Sequence, residues 1–489
     1  MFMKITGQNT IAKNIFHLFY STAVSSGLNA LTLIILASYL HSYHYGLFSV
    51  SLALAMIMGF FTDAGLSEIT LREGLKKDAD HAVIITSYIK VRFILLVATF
   101  LFGFIIIHFL HRGQEELLRT SHFLSIPMVT GIALQSIGTT YFQMTEKMQY
   151  IGLIRMMSAV LLVGTISLGM LFSTDPPVMC VLYGGSYLLA GVLALGLVMK
   201  KIKLKMSLPF HKGMMENFGF FTLSGLLFMV LPQLGPIVLE KTVSLKQVGL
   251  FAVAYRIPQA LQQVPFIVAG AYRPVMFRHY HHQELDKHTK ENTMLLKTMS
   301  MFGMVMTIPF FYCSDQVITM LFGSEWLFAS EPLKILSIML TLQAMNIALA
   351  DGLTTRGLQR FRTLVQFITV ILAVIFYYTF SLGNGVVGAA YAGLFIEALA
   401  LVGFWVFLPG RWKMAQKVIV PYLIFFFAGL WMVNYLLHSL PFVATTVHIL
   451  ILAFILLLDR DLYQSVKKYL QKSPFKWKTR RKRGIENGL

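Results

Sequence analysis

Arg256, Gln259 and Gln263 are the residues of this chain whose types and spacing most directly suggest chemistry. On a continuous helix, at about 100° per residue, the three fall within about 60° of one another. A guanidinium flanked by two amides is a donor set for phosphate oxygens, and the amides can also bond sugar hydroxyls without adding charge. The stretch that carries them, 247–272, is nonetheless apolar and long enough to cross a bilayer. A mid-bilayer guanidinium costs about 2.5–3.5 kcal/mol even on a lenient insertion scale, so this face must meet water, protein or a bound anion. Functionally it lines a path for a negatively charged cargo; structurally Arg256 would be half of an ion pair.

The partner for such a pair is Glu397, about twelve residues into an apolar span at 385–408. Facing an arginine it would lock an empty cleft until phosphate competes, or take up a proton as a coupling site; a hydrogen-bonded acid between packed helices is the plainer account. Asp63 and Glu68, at the inner end of the span 44–68, read as gating or capping residues, with Arg72 completing a cytoplasmic gate. Asp351 and Arg356 hold the matching end of the span 331–355, where local pairing is expected. Lys90 and Arg92 precede the apolar run 93–107, so they either snorkel to the inner headgroups or make first contact with an arriving pyrophosphate. Pro232, Pro236, Pro258 and Pro265 break two successive spans, for gating or simply for packing. The two cysteines, Cys180 and Cys313, stand apart in apolar surroundings, and His279, His281 and His282 lack metal-site spacing. No disulfide, metal or cofactor is expected.

The elements that position these groups follow from composition. Of 489 residues 56% are hydrophobic and 13% charged, with a mean hydropathy of +0.68. So few charges cannot shield such a core from water, so lipid must be the solvent. About fourteen apolar spans are expected, at 15–40, 44–68, 82–110, 119–142, 151–172, 177–199, 216–240, 247–272, 292–313, 331–355, 361–382, 385–408, 416–437 and 442–458. The first is too long for a signal peptide and is expected to be retained. Of the 41 lysines and arginines, 33 fall on the N-terminal side of this topology, 5 on the other, and Lys90, Arg92 and Arg256 within spans. That bias places both termini in the cytoplasm. The basic run 467–483 would anchor the topology against anionic lipid heads or recruit a partner, and nucleic acid is not an expected ligand.

An internal repeat organises the spans. Tyr45-Gly46-Leu47-Phe48-Ser49-Val50 matches Val248-Gly249-Leu250-Phe251-Ala252-Val253 at an offset of 203, and Phe123-Leu124-Ser125-Ile126 echoes Ile335-Leu336-Ser337-Ile338. Both copies of the first motif open even-numbered spans. The expected architecture is an all-α polytopic membrane protein with two six-helix lobes, 1–199 and 216–408, related by a pseudo-two-fold along the membrane normal. A cytoplasmic linker at 200–215 joins them, two extra helices follow at 409–458, and 459–489 forms a basic tail. The substrate would sit in the cleft between lobes, and since Ala53 stands where the repeat would put Arg256, the lobes contribute unequally.

Several motifs resemble one family. They are the YGLFSV start, Phe61-Thr62-Asp63-Ala64-Gly65-Leu66 leading to Leu71-Arg72-Glu73, and the repeat VGLFAVAYR. Met320-Leu321-Phe322-Gly323-Ser324-Glu325-Trp326 with Pro332-Leu333-Lys334-Ile335-Leu336, and Gly385-Val386-Val387-Gly388-Ala389-Ala390-Tyr391, complete the set. Together they resemble the polysaccharide-transporter branch of the multidrug/oligosaccharidyl-lipid/polysaccharide exporter superfamily. The resemblance implies a flippase of the bacterial inner membrane that moves an undecaprenyl-diphosphate-linked oligosaccharide by alternating access, as in O-antigen and lipopolysaccharide assembly. It leaves room for a coupling ion, H+ or Na+, and for glycan polymerase or glycosyltransferase partners.

Enzymatic function finds no support, for the chain has no G-x-x-x-x-G-K-[ST] phosphate loop and no paired-carboxylate or Ser-His-Asp cluster in a long loop. Two other readings stay open: a cation-coupled drug exporter on the same scaffold, and a non-transporting assembly factor for glycan synthesis. A carrier of cationic drugs would be expected to show acids where this chain has Arg256.

Overall fold

The computed structural model describes residues 3–76, 79–202, 204, 209–215 and 218–464. The basic run at 467–483 lies outside them. α-Helices and short helical turns make up almost all of the described chain, with no strand among the described residues. The order begins α1 (Met3–Phe61), α2 (Leu66–Gly74), α3 (His81–Leu110), α4 (Glu115–Met144), α5 (Met148–Leu171) and α6 (Pro176–Met199). It continues α7 (Phe218–Val230), α8 (Leu234–Leu239), α9 (Leu245–Leu261), α10 (Gln263–His281), α11 (Leu285–Tyr312) and α12 (Ser314–Phe322). It ends α13 (Ser330–Thr355), α14 (Gln359–Phe407), α15 (Arg411–Met414), α16 (Val420–Leu437) and α17 (Pro441–Leu458).

Helices dominate because lipid offers no hydrogen bonds, so each spanning segment must satisfy its own backbone. Among the described residues nine helices are long and apolar enough to cross a membrane. Two of these carry two expected spans each. α1 breaks at His41, whose φ is 54°, and α14 breaks at Asn384 and Gly385, the latter with φ 55°. The shorter apolar helices Gly225–Leu239 and Pro441–Leu457 account for two more spans. The remaining expected span, 247–272, is divided at Gln262 between α9 and α10. About fourteen passes are therefore accommodated. On α3, Phe93, Ile94, Leu101, Phe102, Ile105 and Phe109 are exposed, a surface suited to acyl chains rather than water.

Two compact units make up the chain. One comprises Met1–Ala260, Ile318–Pro332 and Gln366–Gly393; the other comprises Leu261–Val317, Leu333–Val365 and Leu394–Leu489. In the first, Leu66, Ile84, Tyr88, Ile137, Phe142 and Ile154 belong to one buried cluster. In the second, Leu295, Met299, Ala344, Leu353, Phe404 and Phe426 do the same. Between helices in lipid such clusters act through close packing rather than escape from water. Just past α17, Asp459 pairs with Lys297 at 2.7 Å. Burial pushes the Asp459 carboxyl upward, but hydrogen bonds from Lys297 and the Leu462 N–H outweigh it and hold the group below the usual carboxylate range.

The repeat has a structural counterpart inside the first unit. A Cβ at Gly46 would lie 2.0 Å from the carbonyl oxygen of Leu245, and one at Gly249 would lie 2.1 Å from that of Ser42. Gly46 and Gly249 are equivalent under the offset of 203, and so are Ser42 and Leu245. Each contact is therefore the image of the other, the signature of a local two-fold. Only glycine permits backbones to meet this closely.

Candidate functional site

Arg256 lies on α9, half-buried, and its Nη1 donates to Gln259 Oε1 at 2.8 Å. Within its own unit no described carboxylate forms an ion pair with it. The hydroxyls of Tyr45, Tyr183 and Tyr187 are within its electrostatic reach. Tyr45 is fully buried, and its hydroxyl makes no hydrogen bond of good geometry. A planar cation bonded to an amide, with three phenols in electrostatic reach, can bind an oxyanion and donate to hydroxyl-rich groups. These tyrosines carry almost no sequence signal. Tyr45 merely opens the repeat motif, and Tyr183 and Tyr187, four apart on α6, read as ordinary aromatic packing.

The single continuous helix expected to carry Arg256, Gln259 and Gln263 is divided in two. Arg256 and Gln259 share α9, whereas Gln263 opens α10 after the turn at Gln262 and belongs to the second unit. Pro258 and Pro265 explain the break: neither has an N–H to return to the carbonyl four residues earlier, so the ladder through Ala254 and Leu261 is incomplete.

Arg92 does not snorkel. It is buried in the first unit, where it pairs with Asp63 and donates to the Tyr88 hydroxyl and the Ala133 carbonyl, each at 2.8 Å, and to the Thr62 hydroxyl at 3.3 Å. Asp63 also accepts from Tyr88 at 2.9 Å and from the Ser67 hydroxyl at 2.5 Å. It sits in the turn between α1 and α2, where Ala64 has φ 47° and Gly65 φ 81°. Asp63 and Arg72, expected together at a cytoplasmic gate, hold different described carboxylate and cation partners: Arg72 pairs with Glu73 at 3.1 Å, and Glu73 also holds Lys76 and His211. Glu68 is exposed in the first turn of α2, where its charge complements the helix dipole. Lys90 is half-buried on α3.

Breaking the Arg92 pair from one side should cost far more than removing it whole. Arg92→Gln leaves the partly buried Asp63 without its cation, and a loss of up to about 3–5 kcal/mol is expected. It is measured as a lowered Tm of the purified protein. The double variant Arg92→Gln/Asp63→Asn should recover most of that loss, and a single variant as stable as the parent would contradict the assignment.

In the second unit Asp351 does not pair with Arg356. Five residues apart on a helix, they point about 140° from one another. Asp351 instead accepts from Arg273 Nε at 2.6 Å, with Arg362 at 3.9 Å. Arg356 donates to His288 at 3.1 Å, to the Leu285 carbonyl at 3.3 Å and to the Thr289 hydroxyl. Glu397 accepts from Gln343 at 2.9 Å and from Asn346 at 2.7 Å, and no described cation of its unit pairs with it. The amide oxygens of Gln343 and Asn346 are themselves buried without partners. Arg256 and Glu397, expected as partners of each other, therefore each have hydrogen-bond partners within their own unit.

No curated protein sequence gives a significant match. Among solved structures the chain is similar to the lipid II flippase MurJ in an inward closed conformation, with a TM-score of 0.62 and 14% identity over 91% of this chain and 99% of that one. It is similar to an inward-facing multidrug resistance MATE family transporter, with a TM-score of 0.66 and 16% identity over 79% and 95%. A third is a MOP-superfamily transporter from Pyrococcus furiosus whose binding pocket is described as reversed in polarity, with a TM-score of 0.57 and 17% identity over 82% and 96%. Identities this low carry the fold and not the activity, and the fold is that of MOP-superfamily transporters. Residues 11–280, more than half of the sequence, match the family described as polysaccharide biosynthesis protein, and this multi-pass membrane chain belongs to that family.

Proposed function

We propose that this protein is a flippase that moves an undecaprenyl-diphosphate-linked oligosaccharide from the cytoplasmic to the outer leaflet of the bacterial inner membrane by alternating access, supplying surface polysaccharide synthesis. The observation that carries the proposal is Arg256: a guanidinium on an apolar span, with no described carboxylate partner in its unit and three tyrosine hydroxyls in reach. A charge there is tolerable if an anion visits it. A pyrophosphate supplies that anion, and the hydroxyls of a sugar chain suit the phenols and Gln259. The cargo could not cross lipid unaided, since each polar group would lose its water. A carrier of cationic drugs on the same fold would place acids here, so the sign of the charge favours the anionic cargo.

The test is direct. Purified protein in liposomes should move a fluorescent undecaprenyl-diphosphate oligosaccharide to the quencher-accessible leaflet faster than empty liposomes, and equal rates would sink the proposal.

Glu397 is the coupling group in this scheme. Its carboxyl and the unpartnered amide oxygens of Gln343 and Asn346 are a hard-oxygen set suited to H+ or Na+. Glu397→Gln removes the charge and is expected to abolish the dependence of flipping on a cation gradient, measured by imposing pH and sodium gradients separately. Gradient dependence equal to the parent would remove Glu397 from the role.

A further inference from the structure

The second unit contains a cavity of about 620 Å³ between the start of α11, the residue after α13, the end of α14 and α15; its lining includes Asp286, Arg356, Phe407, Arg411, Trp412 and Lys413. Three cations converge here, and among the described residues none of them forms an ion pair. Elsewhere in the protein Arg72, Arg92 and Arg273 each hold a carboxylate. Here the guanidiniums are positioned by neutral acceptors instead. Arg356 is tied to His288, Thr289 and the Leu285 carbonyl, and Arg411 to the Val406 carbonyl. The turn that presents Arg411 uses Gly410 at φ 80°, and the Arg411 carbonyl accepts from Trp405 Nε1 at 2.9 Å. Asp286 is within electrostatic reach of Arg356 but leaves the lining net positive.

A second feature says what kind of anion fits. Phe395, Leu399, Val402 and Val406 are exposed at spacings of four, three and four, one apolar stripe along α14 that ends on the cavity lining at Val406. Trp412, 63% exposed, stands beside it as an indole suited to the headgroup layer. All three cations belong to segments that the charge bias places on the cytoplasmic side.

We propose that this cavity is a binding site for the phosphate of an anionic phospholipid, with the headgroup among Arg356, Arg411 and Lys413 and an acyl chain along the α14 stripe. The site shares no residue with the cargo contact at Arg256 and does not depend on the flippase assignment. The donors would also accept free phosphate, but only a lipid uses the stripe.

The full chain, purified in detergent, is titrated with phosphatidylglycerol, phosphatidylcholine and inorganic phosphate, with binding read by native mass spectrometry and thermal shift. The parent should bind phosphatidylglycerol in preference to phosphatidylcholine. Arg411→Gln/Lys413→Gln removes two surface charges, each worth about fivefold in affinity, and should weaken that binding about 30-fold. Arg411→Lys keeps the charge and should retain binding, which separates loss of the site from loss of fold. Inorganic phosphate that binds the parent with no preference for phosphatidylglycerol, and is lost in the double variant, would overturn the lipid assignment in favour of a soluble anion. Equal phosphatidylglycerol affinity in parent and double variant would overturn the site itself.

Discussion

Alanine at Gly46 or Gly249 is expected to lower flipping about 5- to 150-fold and to raise labelling, by a membrane-impermeant maleimide, of a cysteine placed at Ser42. The reason is the reciprocal backbone contact. A methyl carbon at either glycine would sit 2.0–2.1 Å from a carbonyl oxygen of the opposite helix, well inside contact distance. Backbone cannot rotate away as a side chain can, so the two helix ends must separate. Overpacking of this kind costs about 1–3 kcal/mol, enough to shift a two-state equilibrium by the stated factor. The charge bias puts these ends on the expected outer side, so under the proposed flippase reading their separation should change the flipping rate. Unchanged labelling with normal flipping in either variant would show that the crossing takes no part in gating.

Arg256→Ala is the second large effect. Hydrogen bonds to charged groups contribute about 1.5–3 kcal/mol, so losing the guanidinium should slow flipping about 10- to 150-fold. Arg256→Lys keeps the charge without the planar fork and should fall between parent and alanine variant. Stability should hardly change, because no described carboxylate of the unit loses a partner. This is the reverse of Arg92, whose removal strands Asp63. Comparing flipping rate with Tm for the two arginines therefore separates a cargo contact from a structural ion pair.

The helices were legible because their signal is local. Apolar runs of span length, punctuated near His41 and Asn384-Gly385, place the breaks of α1 and α14 within a few residues. Repeat matching also singled out Gly46 and Gly249, although their mutual contact is visible only in three dimensions. Partner choice was much harder to read. Asp63 lies 29 residues from Arg92, and Asp351 lies 78 from Arg273, so proximity in sequence pointed instead to Arg72 and Arg356. Helical rotation could have excluded Asp351–Arg356, but nothing in the sequence names Arg273 as its replacement. The division of the span that carries Arg256 and Gln263 into two helices was hidden for a different reason: two prolines seven residues apart interrupt a run whose composition alone reads as continuous.

The central claim is that Arg256 receives the anionic end of the cargo. Its most direct test is the affinity of the purified protein for a short-chain prenyl-diphosphate oligosaccharide, compared between the parent and Arg256→Ala at matched Tm. We expect the variant to bind at least about tenfold more weakly. Equal affinities would place the pyrophosphate elsewhere and contradict the account.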